Sequence, residues 1–179
     1  MENVGKILLS REDIERRVAQ IGAEIEKDYA GKIPVAICIL NGAMVFFGDL
    51  VRRINLPLTF DTMAVSSYGA GTSSSGKINI IKNTDRDVAG KDVLIIEDII
   101  DSGLTMKTLT QILKSRGAKS VKVCAFLDKP SGRSTEFNAD YIGYVIGDEF
   151  VVGYGLDYDG KYRNLPYVAT FSLDKGEKN

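Results

Sequence analysis

An apolar strand in this chain runs straight into two adjacent carboxylates, a third carboxylate follows, and a hydroxyl- and glycine-rich turn then opens a helix. The segment is Val93-Leu94-Ile95-Ile96-Glu97-Asp98-Ile99-Ile100-Asp101-Ser102-Gly103-Leu104-Thr105. Backbone N–H groups at the start of such a helix, the positive end of its dipole and the hydroxyls of Ser102 and Thr105 suit a phosphate. The carboxylates suit what hangs from that phosphate: sugar hydroxyls, a hard divalent cation, or a proton to be removed. A simple helix cap needs one such residue, whereas here three carboxylates surround two hydroxyls and a glycine. The chain has no Gly-x-x-x-x-Gly-Lys-Ser/Thr and no Gly-x-Gly-x-x-Gly after a strand, so a kinase or dehydrogenase reading loses its main support.

The elements that must hold this cradle are legible from periodicity. Residues 10–29 read as a helix capped by Ser10, with Ile14, Val18, Ile21 and Ile25 on one apolar stripe and with Gly31 and Pro34 as stops. Residues 35–40 form a buried strand, Asn41-Gly42 a turn, and 43–54 a second helix ended by Asn55 and Pro57. Strands follow at 58–66 and 77–82. Between them, 67–76 is so rich in Ser and Gly that it cannot pack into a core, and it reads as a mobile arm. The strand at 92–97 feeds a helix over 102–116, with Leu109, Ile112 and Leu113 buried and Gly117 as its stop. Further strands are expected at 121–127, 141–146, 150–154 and 167–172.

Alternating strands and helices with near-continuous Val, Ile and Leu predict an α/β fold, a doubly wound, mostly parallel sheet flanked by helices, with ligands at the strands' carboxyl ends. The loops after Leu40, Ile96 and Leu127 fall on that edge. The C-terminal strands, less regularly interleaved with helices, are expected to close one side of the site as a small hood built from terminal segments.

Composition narrows the field. The 179 residues, 44% of them hydrophobic, suit one domain over 1–179 with a flexible loop at 67–76. A net charge of -1 argues against bulk nucleic acid as a partner. No run approaches a membrane span, and no signal-peptide layout is present. Cys38 and Cys124 sit in apolar runs as small hydrophobes, so a reducing, cytoplasmic location is expected. Histidine is absent, which removes Ser-His-Asp and histidine-metal chemistry and leaves proton transfer to carboxylate, lysine, tyrosine or substrate.

The run Glu97-Asp98-Ile99-Ile100-Asp101-Ser102-Gly103-Leu104-Thr105 resembles the phosphoribosyl-diphosphate signature of the type I phosphoribosyltransferases, in the variant of the hypoxanthine-guanine members. The resemblance runs from the loop near residue 40 to Arg163. It implies that the 101–105 turn grips the sugar 5'-phosphate and that Glu97 and Asp98 hold the ribose hydroxyls, directly or through Mg2+. It also makes Asp101 the general base near N7 of the purine, although chemistry alone says only that one of the three carboxylates stands there. Lys129, alone an ordinary loop lysine, becomes the donor to O6 that selects hypoxanthine and guanine over adenine.

Glu149-Phe150-Val151-Val152-Gly153-Tyr154-Gly155-Leu156-Asp157 resembles the family's purine segment, in which Phe150 stacks, Val151 pairs through its backbone and Asp157 binds a second metal ion. Arg163, with its fork of donors, matches the arginine that reaches the diphosphate. Asn41 and Gly42 stand where many relatives carry Lys-Gly or Arg-Gly, so no side-chain charge is offered there; backbone amides remain as diphosphate donors, and the family places a non-proline cis peptide at this point. Ser67-Tyr68 matches the dyad of a loop that closes over the sugar and excludes water. Relatives assemble as homodimers or homotetramers, which sets the expectation here. The implied partners are phosphoribosyl diphosphate, hypoxanthine and guanine. Two alternatives stay open: a xanthine-accepting enzyme, and a nucleotide-sensing RNA-binding regulator on the same fold, which would need a basic face.

Overall fold

A computed structural model describes residues 3–67 and 78–172. In chain order these form β1 (Val4–Leu9), α1 (Arg11–Asp28), β2 (Val35–Leu40), α2 (Met44–Val51), β3 (Thr59–Ser67), β4 (Ile78–Lys82), β5 (Asp92–Ile100), α3 (Leu104–Ser115), β6 (Ser120–Asp128), β7 (Tyr141–Val145), β8 (Val151–Val152) and β9 (Val168–Phe171). The main sheet has the order β4-β3-β2-β5-β6-β7 and is parallel except for β4. From β2 the chain winds outward to β3, and from β5 it winds the other way to β6. The two directions part between β2 and β5, where a crevice opens beyond the strands' carboxyl ends.

The unbroken apolar run in β5 follows from its burial on both faces, because successive side chains point opposite ways. Leu94 and Ile96 join Ile14, Val18, Ile21 and Phe46 under α1 and α2. Val93 and Ile95 join Met106, Leu109 and Leu113 under α3. Phe126 ties the first layer together, with its ring centroid 5.2 Å from that of Phe46 and 4.8 Å from that of Tyr154. Cys38 and Cys124 are free and buried, and burial pushes the Cys38 thiol up to about 12. With β5 between their strands, they remain apolar packing.

Several boundaries differ from the sequence reading. β5 continues to Ile100 because Ile99 and Ile100 pair with Leu127 and Asp128. α2 stops at Val51, where Arg53 and Ile54 tighten the turn by bonding to the carbonyls of Leu50 and Val51. β1 carries no alternation that marks a strand; it forms because β9 offers an edge, and the two pair antiparallel with an irregular register. With β8 they build a three-stranded sheet, β1-β9-β8, from the two ends of the chain, the hood expected from terminal segments. Among the described residues no helix is long and apolar enough to cross a membrane.

The start of α1 is a full capping box: the Ser10 hydroxyl accepts from the Asp13 amide at 3.2 Å, and the Asp13 carboxylate accepts from the Ser10 amide at 3.2 Å. Ser10→Ala is expected to cost about 1 kcal/mol and lower Tm by roughly 2–4 °C. Thermal melting by circular dichroism measures this, and an unchanged Tm would show the cap to be idle.

Candidate active site

The crevice is a cavity of about 260 Å³ lined by the ends of β2 and β5 and by Asp101, Ser102, Gly103, Thr105 and Met106. Its floor is the junction of β5 with α3. Gly103, at φ 79°, turns the chain into the helix, the Leu104 amide bonds to the Ser102 hydroxyl at 3.3 Å, and the helical ladder resumes at the Lys107 amide. The amides of Gly103, Thr105 and Met106 have no acceptor among the described residues. Open amides at a helix N-terminus, beside the hydroxyls of Ser102 and Thr105, form a built anion seat. The sequence placed this cradle at 101–105, and the fold puts it at the topological crevice.

The acids crowd the rim. Glu97 is buried and Asp98 half-buried. Burial, and then the neighbouring Asp98 carboxylate, hold the Glu97 carboxyl well above its ordinary range. Oxygens of both side chains remain engaged with the backbone, Glu97 accepting from the Asp98 amide at 3.1 Å and Asp98 from the Ile99 amide at 2.9 Å. Gly42 packs directly against Asp98, so that a side-chain carbon there would land on Oδ2. Gly155 in turn packs on Gly42, where a side chain would strike the Gly42 carbonyl oxygen. Thus the first loop, whose Leu40–Asn41 peptide is cis, lies clamped between the acid pair and the 153–155 turn.

The downstream residues take up the following contacts. The Lys129 amide donates to the Ile100 carbonyl at 2.9 Å, setting this residue beside the cradle, while its ammonium donates to the Asp148 carbonyl at 3.0 Å, just before Phe150 and Val151. Phe150 is 41% exposed, with Tyr158 edge-on at 5.9 Å, so a ring face is left for stacking. Val151 is buried in β8, its backbone paired with Thr170. Arg163 and Asp157 form an ion pair at 2.7 Å, and Arg163 also donates to the Gly155 carbonyl at 2.5 Å. The second oxygen of Asp157 accepts from the Gly160 amide at 2.8 Å. Ser67 ends β3, and Tyr68 with the rest of the expected closing arm through Gly76 lies outside the described residues.

Sequence reasoning missed the support behind the cradle. Residues 130–132 form a single 3-10 turn, after which Arg133 reaches back to the Asp101 carbonyl at 2.8 Å and to the Asp128 carboxylate. The amides of Ser134 and Thr135 bond to the Ser102 carbonyl at 3.1 and 3.3 Å, and Lys107 donates to the Thr135 hydroxyl at 2.9 Å. Pro130-Ser131-Gly132 signalled only a turn. A larger cavity, about 530 Å³, lies between α1, α2 and residues 163–166 and meets the site only through Arg163.

The phosphoribosyl transferase domain model matches residues 5–159. The hypoxanthine-guanine phosphoribosyltransferase of Bacillus subtilis is 50% identical over 167 residues, 93% of each chain. Among solved structures, a hypoxanthine phosphoribosyltransferase from Staphylococcus aureus superposes with a TM-score of 0.92 at 46% identity, over 96% of this chain and 93% of that one. A hypoxanthine-guanine phosphoribosyltransferase from Bacillus anthracis gives 0.91 at 41% identity, over 94% and 99%. Cradle, acid pair and near full-length similarity agree, and the chain belongs to the phosphoribosyltransferase family, within its hypoxanthine-guanine group.

Proposed function

We propose that the protein joins the 5-phosphoribosyl group of phosphoribosyl diphosphate to hypoxanthine or guanine. The anomeric carbon loses its bond to a diphosphate oxygen and gains one to a purine ring nitrogen, and the proton displaced from the purine passes to a carboxylate. One observation carries this reading: the open amides of Gly103, Thr105 and Met106 stand beside three carboxylates at the crevice, with the Lys129 amide bonded to the Ile100 carbonyl of the same strand end. The 101–105 turn holds the 5'-phosphate, and Asp101, at its head, receives the purine proton. Lys129 donates to O6, Phe150 stacks on the ring, the Val151 backbone reads its edge, and Arg163 with the Asn41 and Gly42 amides takes the diphosphate.

The donor set at the rim fits magnesium. Glu97 and Asp98 offer hard carboxylate oxygens at the crevice, as suits an ion that takes one or two carboxylates and completes its shell with substrate phosphates and water. When bound, magnesium supplies charge to neutralise the departing diphosphate. Asp157 would hold a second ion through the lone pairs that Arg163 and Gly160 leave free.

Assay of the protein with phosphoribosyl diphosphate, magnesium and each of hypoxanthine, guanine, xanthine and adenine tests the reading. High kcat/KM is expected for the first two, and adenine as the favoured base contradicts it. Asp101→Asn is expected to lower kcat about 10²–10⁴-fold; a drop of less than about tenfold removes Asp101 from the role of base.

Glu97 makes a second, activity-free prediction. Its carboxyl is raised in the folded protein well above the ordinary glutamate range, so above that range the unfolded chain releases a proton that the folded chain still holds. Stability from this group is therefore complete at acid pH and is lost as pH rises. In metal-free protein, Glu97→Gln should match the parent near pH 4 and be the more stable form near pH 8, measured by urea unfolding. A variant less stable than the parent at pH 8 would contradict the burial argument.

A further inference from the structure

We infer that Gly132 and Arg133 form the seat that positions Asp101 for proton transfer, an inference resting on the role given to Asp101 above. Two independent contacts carry it. The Arg133 guanidinium donates to the Asp101 backbone carbonyl at 2.8 Å and is anchored at its other nitrogen by Asp128, at the end of β6. The side chains of this pair are only 18% and 11% exposed, so water competes weakly for either. The neighbouring Gly132 presents its bare Cα to the Asp101 carboxylate, and a side-chain carbon at Gly132 would occupy the place of Oδ1.

One contact thus holds the main chain of Asp101, and the other leaves open the space that its carboxylate occupies. Arg133 also lies along Gly103, its Cδ 3.1 Å from where a side-chain carbon there would sit, and so braces the turn that opens α3. The adjoining amides of Ser134 and Thr135 grip the Ser102 carbonyl. The seat follows Lys129 by three residues on the same short segment, so the residue that reads the purine and the residue that takes its proton share one support. Neither Gly132 nor Arg133 lines the cavity. Both act through Asp101 and are positioning residues.

Gly132→Ala is the sharpest test. Gly132 has no left-handed backbone conformation, so alanine fits the chain, and only the end of the Asp101 side chain has to move. The variant should melt within about 2 °C of the parent, since no buried contact of the main chain is lost. Its kcat should fall by about tenfold to a hundredfold, as a misplaced reacting group requires, with the purine KM held within about threefold.

Arg133→Met should lower kcat to a similar degree and also raise the KM for phosphoribosyl diphosphate, because the turn itself loosens. Arg133→Lys, which keeps the charge but reaches one acceptor at a time, should recover part of both losses. If Arg133→Met fails to fold, Gly132→Ala and Arg133→Lys decide. Folded Gly132→Ala and Arg133→Met proteins with kcat and both KM values within about twofold of an active parent would overturn the inference alone. A parent inactive with every purine would instead overturn the reading of the activity on which it rests.

Discussion

Setting two carboxylates side by side at the end of a strand buried on both faces costs desolvation, and the surrounding structure is arranged around that cost. Burial and the neighbouring Asp98 raise the affinity of Glu97 for its proton, and Asp98 leans on the Ile99 amide and the bare face of Gly42. The strand cannot be moved to relieve the strain on charge, because Leu94 and Ile96 belong to one core layer and Val93 and Ile95 to the other. A cation and a sugar with hydroxyl donors are the ligands that such a rim is short of. The anion seat next door, uncharged and built from amides, suits the phosphate end of the same molecule.

Backbone contacts around this rim join loops that are far apart in sequence. Gly155 rests on Gly42, Gly42 rests on Asp98, Arg163 holds the Gly155 carbonyl, and Arg133 holds the Asp101 carbonyl. The small sheet contributes the 151–152 segment and the main sheet contributes the acids, so the proposed purine and sugar contacts come from different sheets. Glycine serves here for close approach: at residues 42, 132 and 155 the space for a side chain is already filled by a carboxylate or a carbonyl oxygen.

What the sequence discloses follows from the range of each interaction. The strand, turn and helix of 93–105 were readable because unbroken apolar residues, then acids, then a hydroxyl-glycine turn are local signals. The capping box at Ser10 and the stripe along α1 were readable for the same reason. β1 was not, because it exists only by pairing with β9, more than 150 residues away. Nor was Arg133: a loop arginine looks like a solvated charge until the register of β5 on β6, Ile100 opposite Asp128, carries the 129–135 segment against the cradle. The helix at 43–54 was overdrawn since periodicity does not report where i→i+3 bonds close a last turn. The residues that the family resemblance supplied, Lys129, Phe150, Asp157 and Arg163, are individually mute in the sequence; in the fold Lys129 bonds to the Asp148 carbonyl just before Phe150, and Asp157 pairs with Arg163.

The most direct measurement is a crystal structure of the protein with a purine nucleoside 5'-monophosphate and magnesium. The phosphoryl oxygens are expected within hydrogen-bonding distance of the amides of 103–106, with the ribose facing Glu97 and Asp98. A phosphoryl group bound instead in the larger arginine-lined cavity between α1 and α2, with the 101–105 turn vacant, would contradict it.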